Sequence, residues 1–227
     1  MTDDLAARLA AVDARIAAAA HAAGRDPDGI TRIVVTKFHP AELVADLYRL
    51  GVREVGENRQ QELTAKAGRL ADLPDLRWHF IGQAQTNKAR AIRATAAVVH
   101  SVDRDRIADA LQAAGGEPLD VLLQVNLSDD PGRGGVAPAG VERLAVHVLG
   151  RCPALRLRGL MAVAPLGEEP ARAFGRLAGC AADLRRIAPE ATWISAGMTG
   201  DFAEAIAAGA THLRIGSAIT GPRPERG

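Results

Sequence analysis

The stretch WISAGMTGDFAEAIAAGATHLRIGS, residues 193–217, contains the pattern that decides the fold. Two short apolar runs, Trp193–Ser195 and His212–Ile215, lie near its two ends. The alanine-rich segment between them has the length of a crossover helix, and a glycine-containing loop follows each run. A strand, a helix and a second strand in this order predict two parallel strands joined by a crossover helix.

The same pattern recurs through the rest of the chain. Six further apolar runs occur at regular intervals, at residues 33–35, 52–55, 78–81, 97–100, 121–125 and 157–161. Eight strand candidates that alternate with helical segments predict an α/β fold with a parallel sheet. We expect a (β/α)8 TIM barrel, and a doubly wound open sheet is the alternative.

The two ends of the chain favour the closed barrel. After the eighth run only residues 221–227 follow, a segment too short and too rich in proline for a closing helix. Residues 3–23 form an alanine-rich helix that ends at Gly24, and its apolar residues Leu5, Leu9, Val12 and Ile16 share one face. We expect a single domain over residues 1–227, with the N-terminal helix, within residues 1–24, packed on the barrel.

The composition excludes several classes of function. Lys and Arg number 28 against 27 Asp and Glu, a net charge of +1, so nothing attracts nucleic acid or anionic lipid in bulk. Aromatic residues make up 3% of the chain, which leaves few platforms for base stacking. The sequence therefore predicts neither nucleic-acid nor membrane binding.

Cysteine usage and the N-terminus indicate the compartment. Cys152 and Cys180 belong to no CxxC motif and have no His or Cys neighbour at metal-ligand spacing, so we expect reduced thiols and no metal. The chain begins Met-Thr-Asp-Asp, acidic where a signal peptide is basic, and it contains no apolar stretch of about 18 residues. We expect a cytoplasmic protein.

Chemistry in such folds lies at the carboxyl ends of the strands. Lys37 follows the first strand, where partial desolvation would lower its pKa and favour Schiff-base formation; the alternative is a solvated lysine. Asn58 follows the second strand, where it either contributes an amide to the same face or caps the next helix.

The seventh and eighth loops carry small residues and hydroxyls near helix starts. Thr199 lies in the seventh loop, and Gly216 and Ser217 lie in the eighth, directly after Arg214 and Ile215. Such loops suit a phosphate dianion, with Arg214 as a cation at the mouth, although each loop alone is also explained by turn geometry. An amine beside a phosphate site suits pyridoxal 5′-phosphate or a class I aldolase with a phosphorylated sugar, and the residues alone do not separate these.

A series of motifs occurs along the chain in the order Thr36-Lys37, Gly56-Glu57-Asn58, Trp78-His79-Phe80-Ile81-Gly82 with Gln85 and Asn87-Lys88, His100-Ser101-Val102-Asp103, Gln124-Val125-Asn126, Arg158-Gly159-Leu160-Met161, Ser195-Ala196-Gly197-Met198-Thr199 and Arg214-Ile215-Gly216-Ser217. Together, from about residue 31 to 221, they resemble the pyridoxal-phosphate homeostasis proteins, single-domain barrels similar to the N-terminal domain of alanine racemase.

The resemblance implies a set of cofactor-binding residues. Lys37 would form an aldimine, a Schiff base, with pyridoxal 5′-phosphate, and Arg214 would face the pyridine nitrogen. Asn58 would line the ring. The residues implied for the phosphate are Thr199, Gly216 and Ser217. The glycine-rich loop 129–135 has no assigned role.

The resemblance also implies a carrier that buffers or delivers the cofactor, with pyridoxal-phosphate-dependent apoenzymes as partners and a monomer as the expected state. Racemases of this type use a tyrosine as a second acid–base group, and we expect the sole tyrosine here, Tyr48, to pack on the outside. A weak amino-acid racemase or another pyridoxal-phosphate enzyme is the alternative. An aldolase, with His79 and Glu57 as acid and base, ranks third.

Overall fold

The computed structural model describes residues 2–130 and 132–223, and its centre is a closed barrel of eight parallel strands. Each strand pairs with the next in chain order, and β8 pairs with β1, which places Ile215 opposite Val34. The closure confirms the (β/α)8 barrel and excludes the open sheet. The strands are β1 Thr31–Val35, β2 Glu54–Glu57, β3 Arg77–Phe80, β4 Val98–Val102, β5 Leu119–Gln124, β6 Leu155–Met161, β7 Trp193–Ser195 and β8 His212–Ile215.

Helices follow the strands and surround the barrel. They are α1 Thr2–Ala22, α2 Ala41–Arg49, α3 Gln60–Arg69, α4 Ala89–Arg93, α5 Asp105–Ala113, α6 Val141–Arg151, α7 Pro170–Ile187, α8 Phe202–Ala207 and α9 Ser217–Thr220. Short 3-10 turns occur at Pro27–Gly29, Thr86–Lys88 and Pro138–Gly140. Within the described residues, no helix has both the length and the apolar character needed to cross a membrane.

The N-terminal helix packs on the barrel as expected. Helix α1 lies against α8 and α9, and its four predicted apolar residues, Leu5, Leu9, Val12 and Ile16, are all buried. Arg8 of α1 donates from Nε to the carbonyl oxygen of Ile219 at 2.7 Å, which ties the start of the chain to α9. Helix α9 has four residues, so α1 supplies the long outer helix at this position. The predicted tail extends into residues 224–227, which lie outside the described residues.

Two apolar compartments result from the alternation of side chains along the strands. On β5, Val121 and Leu123 belong to a large cluster between the strands and the helices, which we call the outer layer. Leu122, between them, belongs to a small separate cluster with Val98 and Met161, inside the barrel. The sequence of β5 is therefore apolar on both faces, as buried parallel strands are.

Candidate functional site

The predicted site residues meet on one side of the barrel mouth. Strands β7, β8, β1 and β2 are consecutive around the barrel, and their carboxyl ends carry Thr199, Gly216–Ser217, Lys37 and Asn58 respectively. The backbone N–H of Arg214 donates to the carbonyl oxygen of Gly197 at 3.0 Å, which ties the seventh loop to β8. Gly216 lies against Val35 at the end of β1, so the eighth loop adjoins the Lys37 turn.

Lys37 lies in a turn two residues beyond the end of β1, and its side chain is exposed. The expectation of partial desolvation is therefore wrong, because the chain has left the buried strand before it reaches Lys37. An exposed amine remains accessible to a carbonyl compound from solvent, so a Schiff base is sterically possible here.

Three hydrogen bonds tie the Lys37 turn to helix α3 and to the end of β2. The Thr36 hydroxyl donates to Glu57 Oε1 at 2.6 Å, and Lys66 Nζ donates to the Thr36 carbonyl oxygen at 2.8 Å. On the other side of Lys37, the Phe38 N–H donates to Glu62 Oε2 at 2.8 Å. These bonds hold Phe38 at a φ of 70°, a left-handed conformation that is unusual for a residue with a side chain. The backbone on both sides of Lys37 is thus fixed, while its side chain is exposed, with Nζ 5.9 Å from the centroid of the Phe38 ring.

Lys66 is a residue of this site that sequence reasoning missed. It forms a buried ion pair with Glu57, whose Oε1 lies 2.6 Å from Lys66 Nζ. Burial raises the pKa of the Glu57 carboxyl, and the hydrogen bonds from Lys66 and Thr36 oppose that rise. Glu57 therefore holds the turn, which is a different role from the acid or base considered for an aldolase. The spacing of Glu62 and Lys66, four residues apart on α3, was the available sequence signal.

Asn58 does not cap the following helix. Helix α3 begins after Arg59, and no side chain bonds to its N-terminus. Asn58 Oδ1 is buried, and among the described residues it has no hydrogen-bond partner. The carbonyl oxygen of Asn58 also lies so close to Gly82 that a Cβ there would be 1.8 Å away. Only glycine therefore fits at position 82 beside Asn58, and the Asn58 amide oxygen keeps an unused acceptor that suits a ligand with a polar hydrogen.

Arg214 is buried inside the barrel mouth, with 5% of its surface exposed. Its Nη1 donates to Ser195 Oγ at 2.7 Å, and its Nη2 donates to the Ala162 carbonyl oxygen at 2.8 Å. Burial lowers the pKa of Arg214 to about 10, with Asp201 opposing the shift, so the group remains a cation at neutral pH. Within residues 2–130 and 132–223 neither of these two hydrogen bonds uses the Nε–H of Arg214, which leaves this donor of the fixed cation for a ligand.

The remaining phosphate candidates are accessible. Thr199 and Gly216 are half-buried, and Ser217 is exposed. Gly197 carries a φ of 91°, and a Cβ there would lie 2.7 Å from the Cβ of Ala205. The sharp turn that brings the seventh loop back toward α8 therefore requires glycine.

Three other expectations concern residues outside this group. Tyr48 lies on α2, where the Arg53 guanidinium stacks on its ring at 3.9 Å, which confirms outer packing. His79 is fully buried and bonded at both ring nitrogens, so it is a satisfied core residue and not the acid or base considered for an aldolase. In loop 129–135, of which Pro131 lies outside the described residues, Gly134 approaches Gln83 and Asp103, so the loop adjoins the mouth beside β3 and β4.

A second group of side chains was not visible in the sequence spacing. Asp109 on α5 and His147 on α6 are joined by a hydrogen bond of 2.7 Å, and Cys152 Sγ lies 3.9 Å from the same carboxylate. Burial raises the pKa of the Cys152 thiol, and the Asp109 carboxylate raises it further. Both cysteines are free, Cys152 buried and Cys180 half-buried, in agreement with the expected reduced thiols.

Comparison with known proteins defines the class first. The family described as "Alanine racemase, N-terminal domain" matches residues 8–224, so the chain belongs to this family of barrels. An alanine racemase from Corynebacterium glutamicum has the same fold, with a TM-score of 0.71 at 17% identity, over 100% of this chain and 62% of that one.

Within that class the chain belongs to the pyridoxal phosphate homeostasis proteins. It is 45% identical to the protein of that name from Pseudomonas aeruginosa over 225 residues, which cover 96% of each chain. The protein of the same name from Escherichia coli K12 is 40% identical over 97% of each chain. PipY from Synechococcus elongatus, whose structure was solved with pyridoxal phosphate bound, has a TM-score of 0.83 at 36% identity, over 96% of this chain and 100% of that one.

Proposed function

We propose that this protein binds pyridoxal 5′-phosphate covalently through Lys37 and maintains the intracellular supply of the cofactor by buffering and delivery. The observation that carries the proposal is the combination of an exposed lysine amine with a buried arginine whose Nε–H is unused, on the neighbouring strands β1 and β8. The names of the relatives and the cofactor bound to PipY support it.

The residues present fit the cofactor. Pyridoxal phosphate has an aldehyde, an aromatic ring with a nitrogen acceptor and a phosphate, so it needs an amine, an N–H donor and several small polar groups. Lys37 offers the amine and Arg214 the donor. The buried, unpartnered Oδ1 of Asn58 indicates that a polar ligand completes the protein structure at this side of the mouth, because buried polar atoms are normally paired.

Each residue has a separate role in this proposal. When bound, the cofactor supplies an electrophilic aldehyde and an electron-withdrawing ring. Lys37 would supply the amine that condenses with the aldehyde, with release of water, and the fixed turn around Lys37 determines where that amine lies. Arg214, a cation, donates an N–H toward the ring nitrogen and so keeps that nitrogen unprotonated, which weakens the ring as an electron sink. Thr199, Gly216 and Ser217 bind the phosphate, and Asn58 lines the ring.

A carrier role is favoured over racemisation by the position of Tyr48. Racemisation in both directions needs a proton donor on each face of the substrate, and Lys37 can serve one face. Tyr48 is stacked on Arg53 outside the barrel and does not supply the second donor. We further propose a monomeric, cytoplasmic protein with pyridoxal-phosphate-dependent apoenzymes as recipients and with no nucleic-acid or membrane partner.

The chain offers a sharp test because it contains three lysines, Lys37, Lys66 and Lys88. Purified protein loaded with pyridoxal phosphate is reduced with borohydride, digested and mapped by mass spectrometry. We expect the pyridoxyl group on Lys37, because Lys66 is buried in its ion pair. The Lys37→Ala variant should lose the modification and the associated absorbance band while its circular-dichroism spectrum stays that of the wild type.

Lys88→Ala is the matched control, since Lys88 is half-buried in a turn after β3 and should leave the modification in place. Modification of Lys88 in the wild type, or a Lys37→Ala protein that is still modified to the same extent, would overturn the assignment. A wild-type protein that takes up no pyridoxal phosphate would overturn the proposed function itself.

A further inference from the structure

A continuous line of hydrogen-bonded side chains crosses the inside of the barrel and ends at Arg214. We call it the buried chain; its members are Glu54, His79, His100, Ser195 and Arg214. Arg214 Nη1 lies 2.7 Å from Ser195 Oγ, and Ser195 Oγ lies 2.9 Å from His100 Nδ1. His100 Nε2 lies 2.8 Å from His79 Nδ1, and His79 Nε2 lies 2.5 Å from Glu54 Oε2.

The path of this chain is fixed by the barrel. His100 is on β4 and Ser195 is on β7, and these strands are not neighbours, so their hydrogen bond spans the interior. Glu54 is the first residue of β2 and lies at the base of the barrel, whereas Arg214 lies near the mouth. His79, His100 and Ser195 are fully buried. The buried chain therefore connects the base of the barrel with the candidate cofactor site.

The donors and acceptors in the buried chain have one consistent order. Burial lowers the pKa of both His79 and His100, so each is neutral and carries one ring proton. Burial raises the pKa of Glu54, but the hydrogen bonds from His79 and Arg77 lower it overall, so Glu54 is an ionised acceptor. His79 must then donate from Nε2 and accept at Nδ1, and His100 must donate from Nε2.

The same reasoning determines the donors and acceptors in the part of the buried chain between His100 and Arg214. Because His100 has used its proton toward His79, its Nδ1 accepts, and the Ser195 hydroxyl donates to it. Ser195 Oγ is then left with lone pairs alone, which suit the N–H of Arg214. Each hydrogen bond within the buried chain then joins one donor to one acceptor, and the direction runs from a cation at the mouth to a carboxylate at the base. A reversed hydroxyl would place two donors face to face at Arg214.

We propose that the buried chain is a positioning device that fixes the Arg214 guanidinium so that its Nε–H faces the cofactor. This inference rests on the proposed function, in which Arg214 faces the ring nitrogen. Ser195 and the Ala162 carbonyl oxygen hold both terminal nitrogens, and His100 sets the direction of the Ser195 hydroxyl. His100 and Ser195 are positioning residues, because they act on the cofactor through Arg214.

The first part of the test needs no cofactor. Nitrogen-15 NMR of the cofactor-free protein should show both His79 and His100 protonated at Nε2, and the terminal nitrogens of Arg214 should give separate signals because rotation is blocked. In Ser195→Ala the Arg214 signals should merge. Histidines protonated at Nδ1, or Arg214 signals that are the same in Ser195→Ala and the wild type, would overturn the proposal.

The second part uses the loaded protein. His100→Leu breaks the buried chain, and His100→Gln can still accept from Ser195 through its oxygen and donate to His79 through its amide. We expect His100→Leu to shift the absorbance maximum of the bound cofactor and weaken its binding about threefold to tenfold, the range for one hydrogen bond. His100→Gln should restore the wild-type spectrum.

The outcomes separate this proposal from the proposed function. A role in stability alone predicts that His100→Leu melts at a lower temperature with an unchanged spectrum and affinity, which would overturn the positioning role while leaving cofactor binding intact. If His100→Leu fails to fold, Ser195→Ala removes one hydroxyl and carries the same expected shift. If the wild type takes up no cofactor, the proposed function fails and this proposal fails with it, even where the tautomers are as expected.

Discussion

The outer layer and the interior of the barrel are equally buried but are built from different chemistry. Leu144 in the outer layer and His100 in the interior each have 0% of their surface exposed. The outer layer consists mainly of aliphatic and small side chains, with a few aromatic rings, that join strands to helices. The interior contains a small apolar cluster around Leu122, and the buried chain passes beside it from base to mouth.

This difference indicates which part of the molecule tolerates amino-acid substitution. Apolar packing is non-directional, so the outer layer needs the right volume more than particular residues. A line of hydrogen bonds is directional, and the loss of one member leaves a buried donor or acceptor without a partner. Stability can therefore come mainly from the outer layer, while the interior is constrained by what it does for Arg214.

The largest effect on stability that we expect is at a buried ion pair, the place where the outer layer is not apolar. The Glu57–Lys66 ion pair is buried between the end of β2 and α3. Lys66→Met leaves the Glu57 carboxylate without its cation, so we expect the free energy of unfolding to fall by about 3–5 kcal/mol. Urea denaturation of both proteins measures the difference.

A double variant separates the lost pair from lost packing. Replacing both partners, Glu57→Gln with Lys66→Met, removes the unpaired charge and should recover at least half of the lost stability. A single variant that costs less than about 1 kcal/mol would show that the pair is solvated, as surface pairs are. The outer layer would then be more tolerant of charge than its burial indicates.

Substitution of one leucine in each compartment allows the two compartments to be compared directly. Leu144 on α6 faces the outer layer and Leu122 on β5 faces the interior, and both are fully buried. Leu→Ala at either position should cost about 2–5 kcal/mol, because each removes similar packing and leaves a cavity. Thermal or urea unfolding measures the cost.

The two variants should differ in a second measurement. Leu122→Ala opens space beside the buried chain, so we expect it to change the absorbance spectrum of bound pyridoxal phosphate. Leu144→Ala should lower stability by a comparable amount with the wild-type spectrum. Identical spectra for both variants would contradict the division of roles between the compartments.

The fold was predictable because local sequence carries it. The strands at 193–195 and 212–215 have the predicted bounds, and all eight predicted runs overlap strands of the barrel. The largest boundary error is at β2, expected at 52–55 and found at Glu54–Glu57. Val52 is apolar and buried but precedes the strand, whereas Glu57 is a charged strand residue whose burial depends on Lys66.

The site was predictable in part. The rule that functional residues lie at the carboxyl ends of strands selected Lys37, Asn58, Thr199, Gly216 and Ser217 from the sequence. In the structure these residues lie on one side of the mouth, with Arg214 inside it. The buried chain was not predictable, because it joins residues that only the closed barrel brings together. His100 and Ser195 are 95 positions apart. No local pattern encodes that contact. The expectation that Lys37 is partly desolvated was wrong for a related reason, because the exposure of Lys37 depends on the turn beyond the strand.

For a single residue, the smallest effect that we predict is the contribution of one buried histidine to the response of stability to acid, and it belongs to the interior. Burial lowers the pKa of His212 to about 3, and burial also lowers the pKa of His79 and His100. In the unfolded chain these rings take up protons near pH 6.5, while in the folded protein they take them up only at lower pH. The stability of the folded state is therefore complete above about pH 6.5 and falls as the pH drops below it, by up to about 1.4 kcal/mol per pH unit for each histidine.

Urea denaturation between pH 7.5 and 5 measures this slope, and two variants show where it originates. His212→Gln should have a shallower slope of stability against pH. The unfolded variant has one histidine fewer to protonate, so the difference in proton uptake between the folded and unfolded states is smaller. Leu144→Ala should lower the whole curve and keep the wild-type slope, since Leu144 carries no titratable group. Equal slopes in His212→Gln and the wild type would remove His212 from the acid response and leave His79 and His100, in the buried chain, as its interior sources.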